Sequence, residues 1–326
     1  RMSDIKDNLI IYVSSKNNYE MLEHEVLKNI NTEGFEFINV DDNSILKQKE
    51  LGINICKNNN ILFVENKGVG VQMATQTVID YINENRPFCK WVICFQHDNW
   101  PVSKDFFERI SNLIRKGKMD QFGACGFNIL DSGDFTQENS LERFNKGDRV
   151  LGYLGLAHLC VKDNWNRNIC TKRWHLDLDP WYNPFAIEVP VWAIIGINVN
   201  LWNNFIKPTE YYQFHLWYPD IAMQYLKNNI QQIILPDLYC YNDQKIKEKY
   251  GMNWNSAVGA QNGQENYFGT YGPHLKNFNH RWGWDYENID TQKGNYKNVY
   301  RGTLIEKYRE HKINNGPYMI YNLGQY

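Results

Sequence analysis

Residues 91–101, WVICFQHDNWP, change within a few positions from an apolar run to the polar triplet Gln-His-Asp. A short apolar run bounded by polar residues is typical of a buried strand. Three earlier stretches show the same transition, at residues 8–17, 35–44 and 61–68. Apolar residues at helical spacing follow these runs, at residues 17–30, 72–82 and 104–114. The alternation predicts an α/β fold with a mostly parallel central sheet flanked by helices.

Polar side chains follow each of the four predicted strands directly. They are Ser14 and Asn17, then Asp41 and Asp42, then Asn66 and Lys67, and last Gln96, His97 and Asp98. Ligands of open α/β sheets bind outside the carboxyl ends of the strands, so we expect these residues to share one pocket. Asp, Asn and Ser also cap helices and form turns, and in a single turn that role is the more frequent. Four such turns in succession favour a binding site.

The composition narrows the class of protein. Hydrophobic residues make up 43% of the chain and charged residues 22%, which is typical of a globular protein. The 35 basic and 37 acidic residues give a net charge of -2, so we expect no nucleic-acid partner. No apolar run reaches the roughly 18–20 residues that a membrane-spanning helix requires. The sequence therefore predicts no transmembrane segment.

Cysteines and aromatic residues give two further indications. The seven cysteines include no Cys-x-x-Cys pair, which argues against a disulfide framework or a structural zinc site and favours a reducing, cytoplasmic location. Aromatic residues reach 15% of the chain. Rings beyond those needed for the core suit a protein that stacks against sugars or bases.

Four segments resemble motifs of one family. Residues 37–44, FINVDDNS, are similar to its "V-V-D-D-G-S" strand end, and residues 13–22, VSSKNNYEML, to its opening strand and Asn-containing turn. Residues 66–70 with Ala74 resemble its "N-x-G-x-x-x-A" segment. Residues 95–101, FQHDNWP, resemble its "D-x-D-x-x-P" metal motif in the "D-Q-D" form of rhamnosyltransferase-like members. The family is that of the family 2-like glycosyltransferases with the GT-A fold.

The resemblance covers residues 8–110 well and residues 185–243 more weakly. It implies a GT-A catalytic domain over residues 1–243, with a nucleotide-sugar-binding half at 8–110 and an acceptor half at 111–243. Residues 244–326 would form a C-terminal extension packed on that domain. The implied reaction is inverting transfer of a sugar from a nucleotide-sugar donor, with UDP favoured, to a hydroxyl of a glycan, glycoconjugate or other acceptor.

The resemblance also assigns residues to the donor. The predicted nucleotide-binding residues are Ser14, Asn17, Asp41, Asp42, Asn66, Lys67 and Gly68. Asp98 is predicted to bind Mn²⁺ or Mg²⁺, although Gln96 replaces the first carboxylate of the motif. Phosphate oxygens and water can complete the coordination of such an ion. A further ligand is expected from His274 or His280, and the pair Asp177 and Asp179, in a proline-flanked loop, is a second-ranked metal motif.

The remaining assignments concern catalysis and the sugar. Residues 214–220, FHLWYPD, precede an apolar helical stretch and resemble the family's "E-D" element, which makes Asp220 the predicted general base. The alternatives are an N-cap role for Asp220 and His215 as the base. Sugar and acceptor contacts are predicted for Gln96, His97, Trp192, Gly196 and Trp217.

The sequence is also compatible with one other function. The aromatic content and Gln96 also fit a non-enzymatic carbohydrate-binding protein on a degenerate GT-A scaffold. Such a protein would have no use for the aspartates and the lysine at the strand ends. A sugar nucleotidyltransferase or a dinucleotide-binding dehydrogenase would need a glycine-rich loop after the first strand, and residues 14–18, SSKNN, contain no glycine.

Overall fold

The computed structural model describes residues 5–131, 140–148, 150, 155–156, 183–190, 193–212, 216–243, 245–250, 277–278, 280–282, 300–310 and 319–324. The strands in this part of the chain are β1 (Leu9–Ser15), β2 (Glu36–Asp41), β3 (Leu62–Glu65), β4 (Trp91–Phe95), β5 (Asn99–Pro101), β6 (Phe122–Asp131), β7 (Gly155–Leu156), β8 (Phe185–Ile187), β9 (Val189–Pro190), β10 (Ile194–Asn198) and β11 (Gln231–Asn242).

Most of the helices lie between these strands. A 3-10 turn (Ile5–Asn8) precedes β1, and a π turn (Leu22–Val26) separates α1 (Tyr19–Met21) from α2 (Leu27–Asn29). The others are α3 (Leu46–Asn58), α4 (Val71–Asn85), α5 (Phe106–Arg115), α6 (Ser140–Asn145), α7 (Val199–Phe205), α8 (Trp217–Lys227), α9 (Lys245–Lys249) and α10 (Leu304–Glu310). Within the described residues, no helix combines the length and the apolar composition needed to cross a bilayer.

The predicted α/β class is confirmed. In the described part of the chain, nine strands form one sheet in the order β3-β2-β1-β4-β10-β6-β11-β5, with β8 also paired to β11. The first four strands of this order are parallel, as the alternation of strands and helices predicts. Beyond β4 the sheet is mixed, because β10 runs antiparallel to both β4 and β6. A separate two-stranded sheet pairs β7 with β9.

Both faces of the sheet are covered by apolar layers. In β1, Leu9, Ile11 and Val13 pack against α1, α3 and α5, whereas Ile10 and Tyr12 face the layer of α4 and α8. Burial on both faces explains why these strands read as continuous apolar runs rather than as alternating ones. The second layer also contains residues from beyond position 243, namely Phe278, Trp282, Tyr300 and Ile305, whereas Leu323 belongs to the first layer. The domain boundary at residue 243 stays a prediction.

Gly196 lies inside the sheet, in β10 opposite Ile93 of β4 and Cys125 of β6. A Cβ at this position would come within 2.5 Å of Cys125 Sγ and 3.0 Å of Ile93 Cδ1. The glycine therefore lets side chains of two neighbouring strands close over β10. The structure thus shows a packing role for Gly196, and its sugar contact stays a prediction.

We expect Gly196→Ala to lower the free energy of unfolding by about 1–3 kcal/mol, because the added methyl overpacks the sheet. Urea unfolding followed by circular dichroism measures the loss. The double variant Gly196→Ala/Cys125→Ala should recover part of it, with Cys125→Ala alone as the control. A stable Gly196→Ala protein with weakened sugar binding would instead favour the sequence-based role.

Candidate active site

The carboxyl ends of the first four strands meet at one edge of the sheet. Ser15 pairs with Asp41, Asp41 pairs with Glu65, and Val13 pairs with Phe95 in the parallel register. The residues that follow these positions are those predicted to form the site. The structure thus brings the predicted strand-end residues to one edge, while their roles stay predictions.

A chain of buried hydrogen bonds connects three of these strand ends. It runs, in order, through Asn18, His97, Ser15, Asn39, Tyr19 and Asp41, and we call it the buried relay. All six residues are at most 5% exposed. Asn39 and Asp41 lie on β2, Ser15 on β1, and His97 directly after β4. The relay therefore ties the ends of β2, β1 and β4 to one another.

A single carboxylate determines the direction of the relay. Asp41 is acceptor-only when ionised, so Tyr19 donates its hydroxyl hydrogen to Asp41 Oδ1 over 2.7 Å. The Tyr19 oxygen in turn accepts from Asn39 Nδ2 at 3.1 Å, which turns the amide oxygen of Asn39 towards the Ser15 hydroxyl. Each side chain of the relay thus donates its hydrogen bond to the neighbour that is one step nearer to Asp41.

The same logic fixes the tautomer of His97. Ser15 Oγ uses its hydrogen on Asn39, so it accepts from His97 Nε2 at 2.9 Å. Asn18 Nδ2 donates to the other ring nitrogen, Nδ1, at 3.1 Å. His97 is therefore the neutral Nε2–H form, and burial lowers its pKa to about 4, with a smaller opposing effect of Asp98.

The relay changes the interpretation of two predicted contacts. Asp41 was expected to bind the nucleotide, but its second oxygen, Oδ2, also accepts a bond from the Ser44 backbone N–H at 3.2 Å. His97 was expected to touch the sugar, but both of its ring nitrogens are bonded inside the protein. Buried polar groups need such partners. Both side chains therefore have hydrogen-bond partners inside the protein, and their ligand contacts stay predictions.

Asp42 holds the loop between β3 and α4. Its Oδ1 accepts from Asn66 Nδ2 at 2.8 Å and from the Gly70 backbone N–H at 2.9 Å. Gly70 has a φ of +85°, a left-handed conformation that favours glycine, and α4 begins at the next residue. Asn66 also accepts bonds from Thr77 Oγ1 at 3.1 Å and from the Gly68 N–H at 3.3 Å. Asn66 is thus committed to the loop itself.

The other oxygen of Asp42 faces a partly buried cation. Lys16 Nζ lies 4.0 Å from Asp42 Oδ2, and the Lys16 side chain is 17% exposed. Lys16 is not among the residues predicted from the sequence, because only its position after β1 distinguishes it from other lysines. A carboxylate oxygen and an ammonium group side by side at a strand end form a polar pair suited to a ligand that carries both donors and acceptors.

Other predicted nucleotide contacts have partners within the protein. Asn17, with a φ of +55°, accepts from the Ile45 N–H through Oδ1 at 2.8 Å and so braces the ends of β1 and β2. Lys67 Nζ is paired with Asp80 of α4 at 2.9 Å, and this hydrogen bond raises the pKa of the lysine. A Cβ on Gly68 would meet Glu210 Oε1 at 2.6 Å. Ser14 is partly exposed near the end of β1.

Asp98 is the last residue of the connection from β4 to β5 and is 5% exposed. It accepts a hydrogen bond from Asn99 Nδ2 at 2.6 Å, while Gln96 next to His97 is partly exposed. In the described ranges, no three His, Cys, Asp or Glu side chains converge on a common point where they could hold a metal ion. The oxygen chemistry of Asp98 and Asn99 still fits a hard ion such as Mg²⁺ or Mn²⁺, which takes further ligands from phosphate and water.

Asp220 is completely buried in the first turn of α8. Its Oδ1 accepts from Trp282 Nε1 at 2.9 Å and is paired with Arg281 Nε at 3.3 Å. Its Oδ2 accepts from Gln224 Nε2 at 3.1 Å and Gln72 Nε2 at 3.3 Å. Burial raises the pKa of this carboxyl group, and the surrounding donors oppose that shift. These partners come from α4, α8 and the C-terminal segment, so the carboxylate connects these three parts of the chain. In the contacts described, it does not cap the end of a helix.

The other predicted residues fall into two groups. Trp192, His215 and His274, together with Asp177 and Asp179, lie outside the described residues. Trp217 is fully buried in α8, and its sugar contact stays a prediction. His280 is exposed next to Arg281. It forms no metal-binding group with two other such side chains in the described segments.

Solved structures are similar to this chain, although no family model and no curated protein match it. One is GalNAc-T7 with UDP, GalNAc and Mn²⁺, at a TM-score of 0.49 and 11% identity over 72% of this chain and 44% of that one. Another is the mannosyltransferase PcManGT from Pyrobaculum calidifontis with GDP-Man and Mn²⁺. Its TM-score is 0.45 and its sequence identity 12%, over 87% of this chain and 70% of that one. A third is S. aureus TarS, with a TM-score of 0.44 and 11% sequence identity over 88% of this chain and 44% of that one.

All three are GT-A glycosyltransferases. That is the class whose motifs the strand ends resemble. The chain spans less than half the length of GalNAc-T7 and of TarS. Because the TM-scores lie below 0.5, we carry no residue role over from these proteins.

We expect Tyr19→Phe to destabilise the protein by about 1–3 kcal/mol, because it leaves Asn39 Nδ2 and Asp41 Oδ1 without their buried partner. Tyr81→Phe is the matched control, since it removes a hydroxyl that bonds Glu36 on a partly exposed side chain. That control should change the free energy of unfolding by roughly 0.5 kcal/mol or less. Equal losses in the two variants, measured by urea unfolding, would contradict a special role for the buried relay.

Proposed function

We propose that this chain is a glycosyltransferase that moves a sugar from a nucleotide-sugar, with UDP as the favoured nucleotide, to a hydroxyl of a glycan or other acceptor with inversion. The supporting observation is the edge formed by the first four strands. There Asp42 keeps one oxygen beside Lys16, and Asp98 follows the adjacent β4. Parallel sheets bind ligands at this edge.

The two sides of this edge suit different parts of the donor. On the β2 side, the Asp42 oxygen can accept from a nucleobase or ribose, and Lys16 can donate to a carbonyl or phosphate oxygen. On the β4 side, a divalent ion held by Asp98 would neutralise charge on the leaving diphosphate. The buried relay lies between the two sides and keeps both strand ends in place.

Asp220 is our proposed general base. Gln72 donates to the Asp220 carboxylate from the first turn of α4, the helix that follows the loop anchored by Asp42. A carboxyl group with a raised pKa is a better proton acceptor. The acceptor hydroxyl reaches Asp220 only when Arg281 or Trp282 moves away from it.

We expect UDP to raise the melting temperature of the protein and Mn²⁺ to enlarge that increase, because a ligand of the native state stabilises it. Asp42→Asn should weaken UDP binding roughly tenfold or more through loss of a charged hydrogen bond. The control is Asp120→Asn, which removes an exposed carboxylate paired with Lys90, the residue before β4. This variant should bind UDP with unchanged affinity. Thermal shift and calorimetric titration give both values, and equal UDP affinity in the two variants would contradict this pocket.

We expect Asp220→Asn to reduce turnover by about 10²–10⁴-fold with little change in UDP affinity. The variant also loses the charge facing Arg281, so its stability must be measured alongside. Trp282→Phe is the matched control, because it removes one donor to Asp220 but keeps the carboxylate. If both variants lose turnover equally at a temperature where both are folded, Asp220 is an anchor of the C-terminal segment and not the base.

A carbohydrate-binding protein without transferase activity is the second candidate. Two observations favour it: Gln96 replaces a carboxylate of the metal motif, and Asp220 is fully buried. The two functions differ in their ligand, since a lectin binds the glycan without nucleotide. Glycan binding that is unaffected by UDP, together with no thermal shift from UDP, would establish the second function.

A further inference from the structure

Asn99 is the first residue of β5 and has an unpaired buried oxygen. The residue is 1% exposed, and its Nδ2 donates to Asp98 Oδ1 at 2.6 Å. Its Oδ1 has no hydrogen-bond donor among the described residues. The amide therefore touches the Asp98 carboxylate with one end and leaves the other end without a partner.

The orientation of this amide follows from its neighbour. An ionised carboxylate only accepts hydrogen bonds, so the nitrogen and not the oxygen of Asn99 must face Asp98. Rotating the amide by half a turn would place two acceptors against each other. The unpaired atom is thus an acceptor oxygen, and a buried acceptor without a partner costs free energy unless a ligand supplies a positive group.

The backbone holds this pair of residues firmly. Asp98 O accepts from the Asp243 N–H at 2.9 Å, and the Asn99 N–H donates to Gln96 O at 3.3 Å. Asn99 also pairs with Asn242 in the antiparallel register of β5 and β11. Sites supported by strands hold their ligands more accurately than sites on loops.

The nearby groups favour a cation as the missing partner. The Asp98 carboxylate contacts the Nδ2 end of the same amide, and His97 has both ring nitrogens committed to the buried relay. A carboxylate oxygen and an amide oxygen are ligands that Mg²⁺ and Mn²⁺ accept. A neutral amide ligand adds coordination without adding a second buried charge.

We propose that Asn99 Oδ1 is a ligand of the divalent cation that Asp98 holds, which compensates for the carboxylate that Gln96 lacks. This assignment rests on the proposed function, in which Asp98 binds the metal. It adds a ligand at a position that the "D-x-D-x-x-P" motif leaves unspecified. It also identifies the bound ion as one with hard, oxygen-preferring chemistry.

The test is a titration of the full chain with Mn²⁺, with and without UDP, in which paramagnetic resonance measures free Mn²⁺. Asn99→Ala should weaken Mn²⁺ binding roughly tenfold or more, as expected for a lost ligand. Asn99→Asp should strengthen it, because it supplies a second carboxylate. Asn83→Asp, which adds the same charge at an exposed position of α4, should bind like the unmodified protein.

Thermal unfolding separates a ligand from a merely structural asparagine. Without metal, Asn99→Asp should melt below the unmodified protein, since two carboxylates then lie side by side. With Mn²⁺ its melting temperature should rise by more than that of the unmodified protein. If Asn99→Ala does not fold, Asn99→Asp carries the test alone.

Two outcomes would overturn the assignment. One is unchanged Mn²⁺ affinity in both Asn99 variants while Asp98→Asn loses the ion, which would leave the proposed transferase and its metal intact. The other is an unmodified protein that binds no Mn²⁺ even with UDP. Failure of the transferase proposal itself would be recognised separately, as absence of any thermal shift with UDP.

Discussion

The carboxylate of Asp41 sets the direction of every hydrogen bond in the buried relay. Because it can only accept, it orients Tyr19, then Asn39, then Ser15, and finally the tautomer of His97. Six polar side chains are thereby satisfied in a region almost closed to water. A reversed donor anywhere in the series would leave an unpaired group in a low-dielectric interior, where that is costly. The three strand ends that carry the candidate site therefore have one well-defined arrangement.

A second polar centre, around Asp220, joins parts of the chain that are far apart in sequence. Gln72 of α4, Gln224 of α8 and the Arg281–Trp282 pair all bind this one carboxylate. Gln72 also accepts a hydrogen bond from the Thr209 N–H at 2.8 Å, so the segment before α8 is bound to the same polar centre. Partners on several elements make such a buried charge tolerable, and removing one of them leaves the others unsatisfied. The C-terminal segment is thus coupled to α4, the helix that follows the loop held by Asp42.

The two centres differ in how they relate to chemistry. The buried relay is neutral except at Asp41 and lies beneath the surface that a ligand would touch. Next to it, Asn99 keeps an amide oxygen without a described donor, and one oxygen of Asp42 lies 4.0 Å from the Lys16 ammonium. In a preorganised site, side chains whose hydrogen bonds are all made hold in position the neighbouring side chains that are left to bind a ligand. At Asp220, by contrast, the carboxylate is enclosed and contact with a substrate requires motion.

The sequence by itself determined the four parallel strands, the helices between them and the polar character of the strand ends, because apolar runs and helical periodicity are local patterns. It also placed Asp42 and Asp98 just after the strands that end at this edge of the sheet. Only the tertiary structure decided which polar side chains face inwards. Asp41 and His97 carry the same local signature as Asp42 and Asp98, yet they bond to Tyr19, Ser15 and Asn18. Gly196 and Asp220 were likewise interpreted from motif position, whereas Cys125, Arg281 and Trp282 fix their surroundings. Such contacts depend on residues distant in sequence, and no local pattern contains them.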